Sequence, residues 1–144
     1  MLVDANLLLF AVDASSHLNK GAAAWLSKAV NGPGRVGLPW LVLTAFLRII
    51  TNPRASDHPL APEAAWAYVQ DWLTADTVWI PGPTDRHARI LETLVTAYRL
   101  RGNLITDAQL AALAIEHGLT IYSADTDFAR FTEIRWVNPL AGQG

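Results

Sequence analysis

Thr106-Asp107-Ala108-Gln109-Leu110-Ala111-Ala112-Leu113-Ala114-Ile115-Glu116-His117 reads as a helix that hands the chain, through Gly118 and Leu119, to a strand at Thr120-Ile121-Tyr122-Ser123. Thr106 and Gln109 have the spacing of a capping box, and Gly118 stands where a helix stops in a left-handed turn. Working outward, residues 127–131 form a helical turn and 134–137 another short strand. Upstream, Thr84 or Asp85 caps a long helix that turns Ile90, Leu91, Leu94, Val95 and Tyr98 inward and stops at Gly102-Asn103. A strand at 77–80, closed by Pro81-Gly82-Pro83, precedes it.

The first half repeats the pattern. Leu2-Val3-Asp4 is a short buried strand, and Ala5 to Val12 a short helix. Residues 21–30 are helical until Asn31-Gly32-Pro33-Gly34 breaks them, and 35–38 form a strand. Pro39 suits the first turn of a helix running to about Thr51, ended by Asn52-Pro53. Pro62 opens one more, with Ala65, Trp66, Val69, Trp72 and Leu73 on one face. About five short strands thus alternate with longer helices. That alternation predicts an α/β fold, a parallel sheet with helices on both faces. With 144 residues and no dividing linker, the whole chain, 1–144, is expected to be a single domain.

Half the residues are hydrophobic and six are Trp, enough for a core without staples; there is no Cys, which excludes disulfides and thiolate metal sites. No basic leader opens the sequence, and no apolar run approaches the ~20 residues of a membrane span, so a cytoplasmic protein is expected, with no membrane association. The net charge of −2 argues against a general nucleic-acid binder. Setting aside Asp4, Asp107, Asp125 and Asp127, however, leaves nine acidic against eleven basic residues, and nine of those eleven are Arg, which suits forked phosphate contacts.

Those four aspartates are the candidate chemistry. In an open parallel sheet, ligands bind beyond the carboxyl ends of the strands. Asp4 follows the first strand directly, Asp125 follows the fourth with one small residue between, and Asp127 is two further on. Asp107 lies in the first turn of its helix. Each has a plain structural alternative, as a helix cap or a first-turn acid, and only their convergence distinguishes a site. Gathered carboxylates repel unless a proton or a divalent metal intervenes, and an all-oxygen set favours Mg²⁺ or Mn²⁺ over Zn²⁺. The four His residues have no metal-ligand spacing, and no Gly-rich phosphate loop or nucleophile elbow is present.

The same segments carry a family resemblance. Leu2-Val3-Asp4-Ala5-Asn6-Leu7-Leu8, Leu38-Pro39-Trp40, Phe46-Leu47-Arg48, Thr51-Asn52-Pro53-Arg54, Gly102-Asn103-Leu104-Ile105-Thr106-Asp107-Ala108, Ser123-Ala124-Asp125-Thr126-Asp127-Phe128 and Trp136-Val137-Asn138-Pro139-Leu140 occur in the order and spacing of a PIN-domain ribonuclease. The chain resembles in particular a VapC-type toxin of a toxin–antitoxin pair. The resemblance implies a three-layer α/β/α sandwich around the parallel sheet and a Mg²⁺-dependent RNA endonuclease. In that reading Asp4, Asp107 and Asp125 form the metal-binding acidic set, assisted by Asp127, with Asn6 and Ser123 as supporting polar groups. It further implies inhibition by a cognate VapB antitoxin and a homodimer. One departure stands out. Many PIN domains carry a Glu near Thr44-Ala45, whereas no acid occurs from Val36 to Arg54. A second tightly held metal is therefore not expected, and Thr44 becomes a candidate to hold a metal-bound water.

On this reading Asp4 and Asp107 hold the metal, Asp125 or Asp127 orients the attacking water, and Arg48, Arg86 and Arg89 position RNA. Arg86 and Arg89 equally suit a solvated helix face. Rival phosphate chemistries fit less well. An aspartate-nucleophile phosphatase wants a second Asp where Asn6 stands, and a phosphoacceptor domain wants a late Lys, whereas the only lysines are Lys20 and Lys28. A catalytically inactive binding module acting through a protein partner is the alternative from another class.

Overall fold

A computed structural model describes residues 1–142. Five strands form one parallel sheet: β1 (Leu2–Val3), β2 (Val36–Gly37), β3 (Val78–Trp79), β4 (Ile121–Tyr122) and β5 (Trp136–Val137), in the spatial order β3-β2-β1-β4-β5. Six helices flank it: α1 (Ala5–Val12), α2 (Asn19–Val30), α3 (Trp40–Ile50), α4 (Pro62–Thr74), α5 (His87–Ala97) and α6 (Leu104–His117). A 3-10 turn spans Thr126–Arg130. The order grows outward from β1 in one direction, then returns to place β4 on its other side. Right-handed crossovers therefore put α1 to α4 on one face of the sheet and α5 and α6 on the other. Contacts agree: α1 packs on α2 and α3, α3 on α4, and α5 on α6. The expected three-layer α/β architecture is present.

The strands are shorter than the four residues expected, and the chain chemistry explains why. Asp4 leaves the ladder to become the N-cap of α1. Pro39 caps α3 and brings no N–H, and Pro81 follows β3 likewise. Single ladder-like bonds extend the pairing outward, such as Asp4 N–H to the Tyr122 carbonyl and Leu38 N–H to that of Trp79. Gly37 leaves no room for a side chain: a Cβ there would stand 2.8 Å from Pro81 Cγ and 3.1 Å from the Met1 carbonyl.

The core is one apolar cluster built from the β1 residues, Leu7, Leu8, Leu38, Leu43 and Phe46 on one side and Leu94, Leu110 and Leu113 on the other. Three local expectations change. Helix α6 begins at Leu104, two residues before Thr106, because the turn at Gly102, φ 60°, already lets Ile105 N–H reach the Gly102 carbonyl. The proposed capping box is thus inside the helix. Helix α5 begins at His87 without a side-chain cap and ends at Ala97, where Arg99 turns left-handed at φ 53°. Trp66, expected in the core, is exposed, while Ala65, Val69 and Trp72 of the same helix are buried.

Candidate active site

The order of the strands puts the reversal point between β1 and β4, the place where an open parallel sheet leaves a crevice at its carboxyl edge. Asp4 leaves β1 there, and Ser123, Asp125 and Asp127 leave β4. Helix α6 runs back toward the start of β4, so its first turn, with Asp107, stands over the same edge.

Asp4 is held on both oxygens. Oδ1 accepts the Ala5 N–H at 2.7 Å, and Oδ2 accepts the Ser123 hydroxyl at 2.8 Å. Ser123 is fully buried, and its Oγ in turn accepts from Asn6 Nδ2 at 3.1 Å and from Asp125 N–H at 3.0 Å. The hydroxyl's one proton and both lone pairs are thereby used. Asn6 closes the ring by accepting the Ala124 N–H at 3.3 Å. Asp125 caps the 3-10 turn by accepting Asp127 N–H at 2.8 Å, and Asp127 reaches Arg130 at 3.3 Å.

Carboxylate oxygens of Asp107, Asp125 and Asp127 lie within 4.8 Å of one another. Asp107 has no side-chain hydrogen bond among the described residues, and burial together with Asp125, Asp4 and Asp127 raises its pKa to about 6, against a smaller opposing pull from Arg130. Asp4 is also raised, first by burial and then by Asp125, while the Ser123 and Ala5 bonds work the other way. Carboxylates gathered in this way repel one another, and a divalent cation held by hard oxygen donors is one way in which such repulsion is relieved. Helix α1 makes the capping alternative for Asp4 true as well: the residue caps that helix and faces the cluster. The tightest trio contains Asp127, which sequence reasoning ranked last, and Asp4 stands beside that trio.

None of the remaining candidates hydrogen-bonds to the acids among the described residues. Thr44 is exposed on α3, its hydroxyl donating to the Trp40 carbonyl at 2.8 Å. Arg48 is exposed on the same helix and Arg89 on α5. Arg86 is committed: its Nη2 donates to the Glu116 carbonyl at 2.6 Å, nine residues from Asp107 and about 13 Å by helical rise. One polar cluster escaped the sequence reading. The Glu116 carboxylate is buried, accepting the Thr84 N–H and hydroxyl at 2.7 Å each and facing His87 Nδ1 at 2.6 Å. Burial alone would raise its pKa, but these partners together bring it below the ordinary value. A charged residue three positions after Leu113, on the stripe that α6 buries, was the available signal.

The PIN domain family model matches residues 1–134. The ribonuclease VapC37 of Mycobacterium tuberculosis is 45% identical over 140 residues, covering 97% of each chain. VapC33 of the same organism is 41% identical over 140 residues, covering 97% of this chain and 98% of its own. Among solved structures, M. tuberculosis VapC20, described as a sarcin-ricin loop cleaving toxin, superposes with a TM-score of 0.64 at 21% identity, covering 93% of this chain and 98% of its own. VapBC2 of Rickettsia felis, bound to a promoter DNA fragment, gives 0.68 at 13% identity, covering 95% and 96%. The last two speak for the fold, and the first two for a closer kinship; the chain belongs to the PIN-domain family and, within it, to the VapC ribonucleases.

Proposed function

We propose that this chain is a Mg²⁺-dependent endoribonuclease, the toxin of a toxin–antitoxin pair, acting in the cytoplasm and restrained by a cognate VapB-type antitoxin. The observation that carries the reading is the approach of the Asp107, Asp125 and Asp127 carboxylates to within 4.8 Å, with Asp107 raised to about 6. Relatives named ribonucleases at 41–45% identity support RNA as the substrate, and solved neighbours described as toxin–antitoxin complexes support the partner. No helix is long and apolar enough to cross a membrane among the described residues. The 1–144 chain acts as one catalytic unit, and a homodimer is the assembly expected of it.

Mg²⁺, or Mn²⁺ in its place, would supply Lewis-acid stabilisation of the charge that develops on the scissile phosphate. Asp107, Asp125 and Asp4 would hold it, in a set made only of hard oxygens. Ser123 and Asn6 keep Asp4 aimed outward by hydrogen bonds. Asp127, the most exposed of the acids, would accept a proton from the attacking water. Arg130, next to Asp127, and Arg48 would steer the RNA backbone. Thr44, near which the family resemblance implies a Glu, adds no carboxylate to the site, which favours a single metal. Incubation of total RNA with the purified chain tests the reading. Cleavage that needs Mg²⁺ or Mn²⁺ and is lost in Asp107→Asn upholds it; metal-independent cleavage, or none, refutes it in favour of an inactive binding module.

A further inference from the structure

Helix α6 carries a second feature on the side turned away from the acids. Asp107 and Gln109 are two residues apart, so their side chains leave the helix on nearly opposite faces, about 10 Å from one another across its width. Gln109, Leu113 and Glu116 then follow at helical spacing along one stripe. Beside that stripe lies a cavity of about 230 Å³, walled by Trp40, Pro81, Pro83, His87, Gln109 and Leu113. Trp40 opens α3 just beyond β2, and Pro81 and Pro83 follow β3. The cavity therefore occupies the same carboxyl rim as the acids, one and two strands along from β1.

Its chemistry is mostly apolar with few polar groups, the composition of a small-ligand site. Trp40 is 46% exposed although it is the largest side chain in the wall, which leaves an aromatic surface open to stacking. His87 is not free to turn. The buried Glu116 carboxylate holds Nδ1 at 2.6 Å, and Thr84 fixes that carboxylate with two bonds of its own. Nε2 has no hydrogen-bond partner among the described residues, and the Gln109 amide brings a donor and an acceptor. No Lys or Arg lines the cavity, so nothing in it is built for a phosphate. An aromatic platform, an oriented imidazole and an amide instead suit the flat face and polar edge of a heterocycle.

We propose that this cavity is a nucleobase subsite, in which one unpaired base of the substrate RNA stacks on Trp40 and is read along its edge by His87 and Gln109. The proposal rests on the ribonuclease reading for the nature of the substrate. It assigns Trp40, His87 and Gln109 to substrate selection and Glu116 to positioning the His87 ring. The occupied base would lie a nucleotide or two from the bond that is cut, on a strand passing over the first turn of α6.

Binding of a single-stranded 2′-O-methyl oligoribonucleotide, which cannot be cleaved, to the full chain in metal-free buffer tests it by fluorescence anisotropy. Trp40→Ala should weaken binding roughly 5- to 150-fold, the usual loss for one base–aromatic stack, and Trp40→Phe should recover most of it. Gln109→Ala should flatten the preference among oligonucleotides that differ at a single base. Equal affinity of the wild type and Trp40→Ala, or no binding by the wild type, overturns the subsite. Cleavage of total RNA by the wild type is scored separately. If it fails while Trp40-dependent binding persists, the ribonuclease reading falls and the subsite stands. If it succeeds while binding ignores Trp40, the subsite falls and the ribonuclease reading stands.

Discussion

Ser123 Oγ lies 2.8 Å from Asp4 Oδ2, joining residues 119 positions apart at the two strand ends that frame the crevice. Because the same hydroxyl accepts from Asn6 and Asp125, Ser123→Ala removes three hydrogen bonds from a buried point. Asp4 should lose its fixed aim, and Mn²⁺ affinity measured by calorimetry should fall roughly 10- to 100-fold, the range for supporting hydrogen bonds around metal ligands. Unchanged affinity would show that Asp4 is not a ligand.

Asp107→Asn should separate stability from activity. It removes one of several carboxylates that repel each other, so the metal-free protein at pH 7 should melt higher by roughly 2–5 °C. The same change should end RNA cleavage and shrink the stabilisation conferred by Mn²⁺. Differential scanning fluorimetry with and without metal reads both effects, and a lower melting point for the metal-free variant would contradict the repulsion.

The pH dependence of the metal-free protein follows from the same residue. Asp107 titrates near 6 when folded and near 3.8 otherwise, so between those values the folded state binds more protons than the unfolded. Its contribution is full below about pH 4 and is lost as the pH rises through 6. Asp4 shifts in the same direction. Glu116 has the opposite sign, its contribution being present above its ordinary 4.5 and lost as the pH falls below that. Melting temperature should therefore decline from pH 5 to pH 7 without metal and stay level with saturating Mn²⁺. A decline of the same size in both conditions would exclude the acid cluster as its source.

Gly37→Ala should cost about 1–3 kcal/mol in urea denaturation, the usual penalty of overpacking. The added methyl would meet the Pro81 ring at 2.8 Å and the Met1 carbonyl at 3.1 Å, and that carbonyl cannot retreat without breaking its hydrogen bond from Gly37 N–H. A neutral effect would mean that β2 can slide within the sheet.

The alternation of short apolar segments with helices made the sheet and its layers legible, because burial on both faces leaves no polar alternation to misread. The acids were legible for the same reason: a charged residue directly after such a segment has few places to go. The network of Glu116, His87 and Thr84 was not legible. Its members are 29 to 32 residues apart and meet only because α6 packs against the segment that leads into α5. The ranking among the acids was not legible either. The pairing of Asp107 with Asp127 depends on how the 3-10 turn after Asp125 directs its first residues, a matter of two or three backbone angles. Trp66 was misplaced because periodicity marks the apolar side of α4 but not how much of that side the neighbours cover.

Among the five strands the middle one, β1, comes first along the chain, and β4, one of its two neighbours, comes fourth. A growing chain on the ribosome holds Asp4 for most of its synthesis with nothing to complete the crevice. A chain that stops short of Ser123 lacks Asp125 and Asp127 and cannot gather the acids. The long closure between the two strands also makes folding slower than local helix formation would suggest. Until β4 docks beside β1, Asp4 stays apart from Asp125 and Asp127, so the acid cluster is a late product of folding.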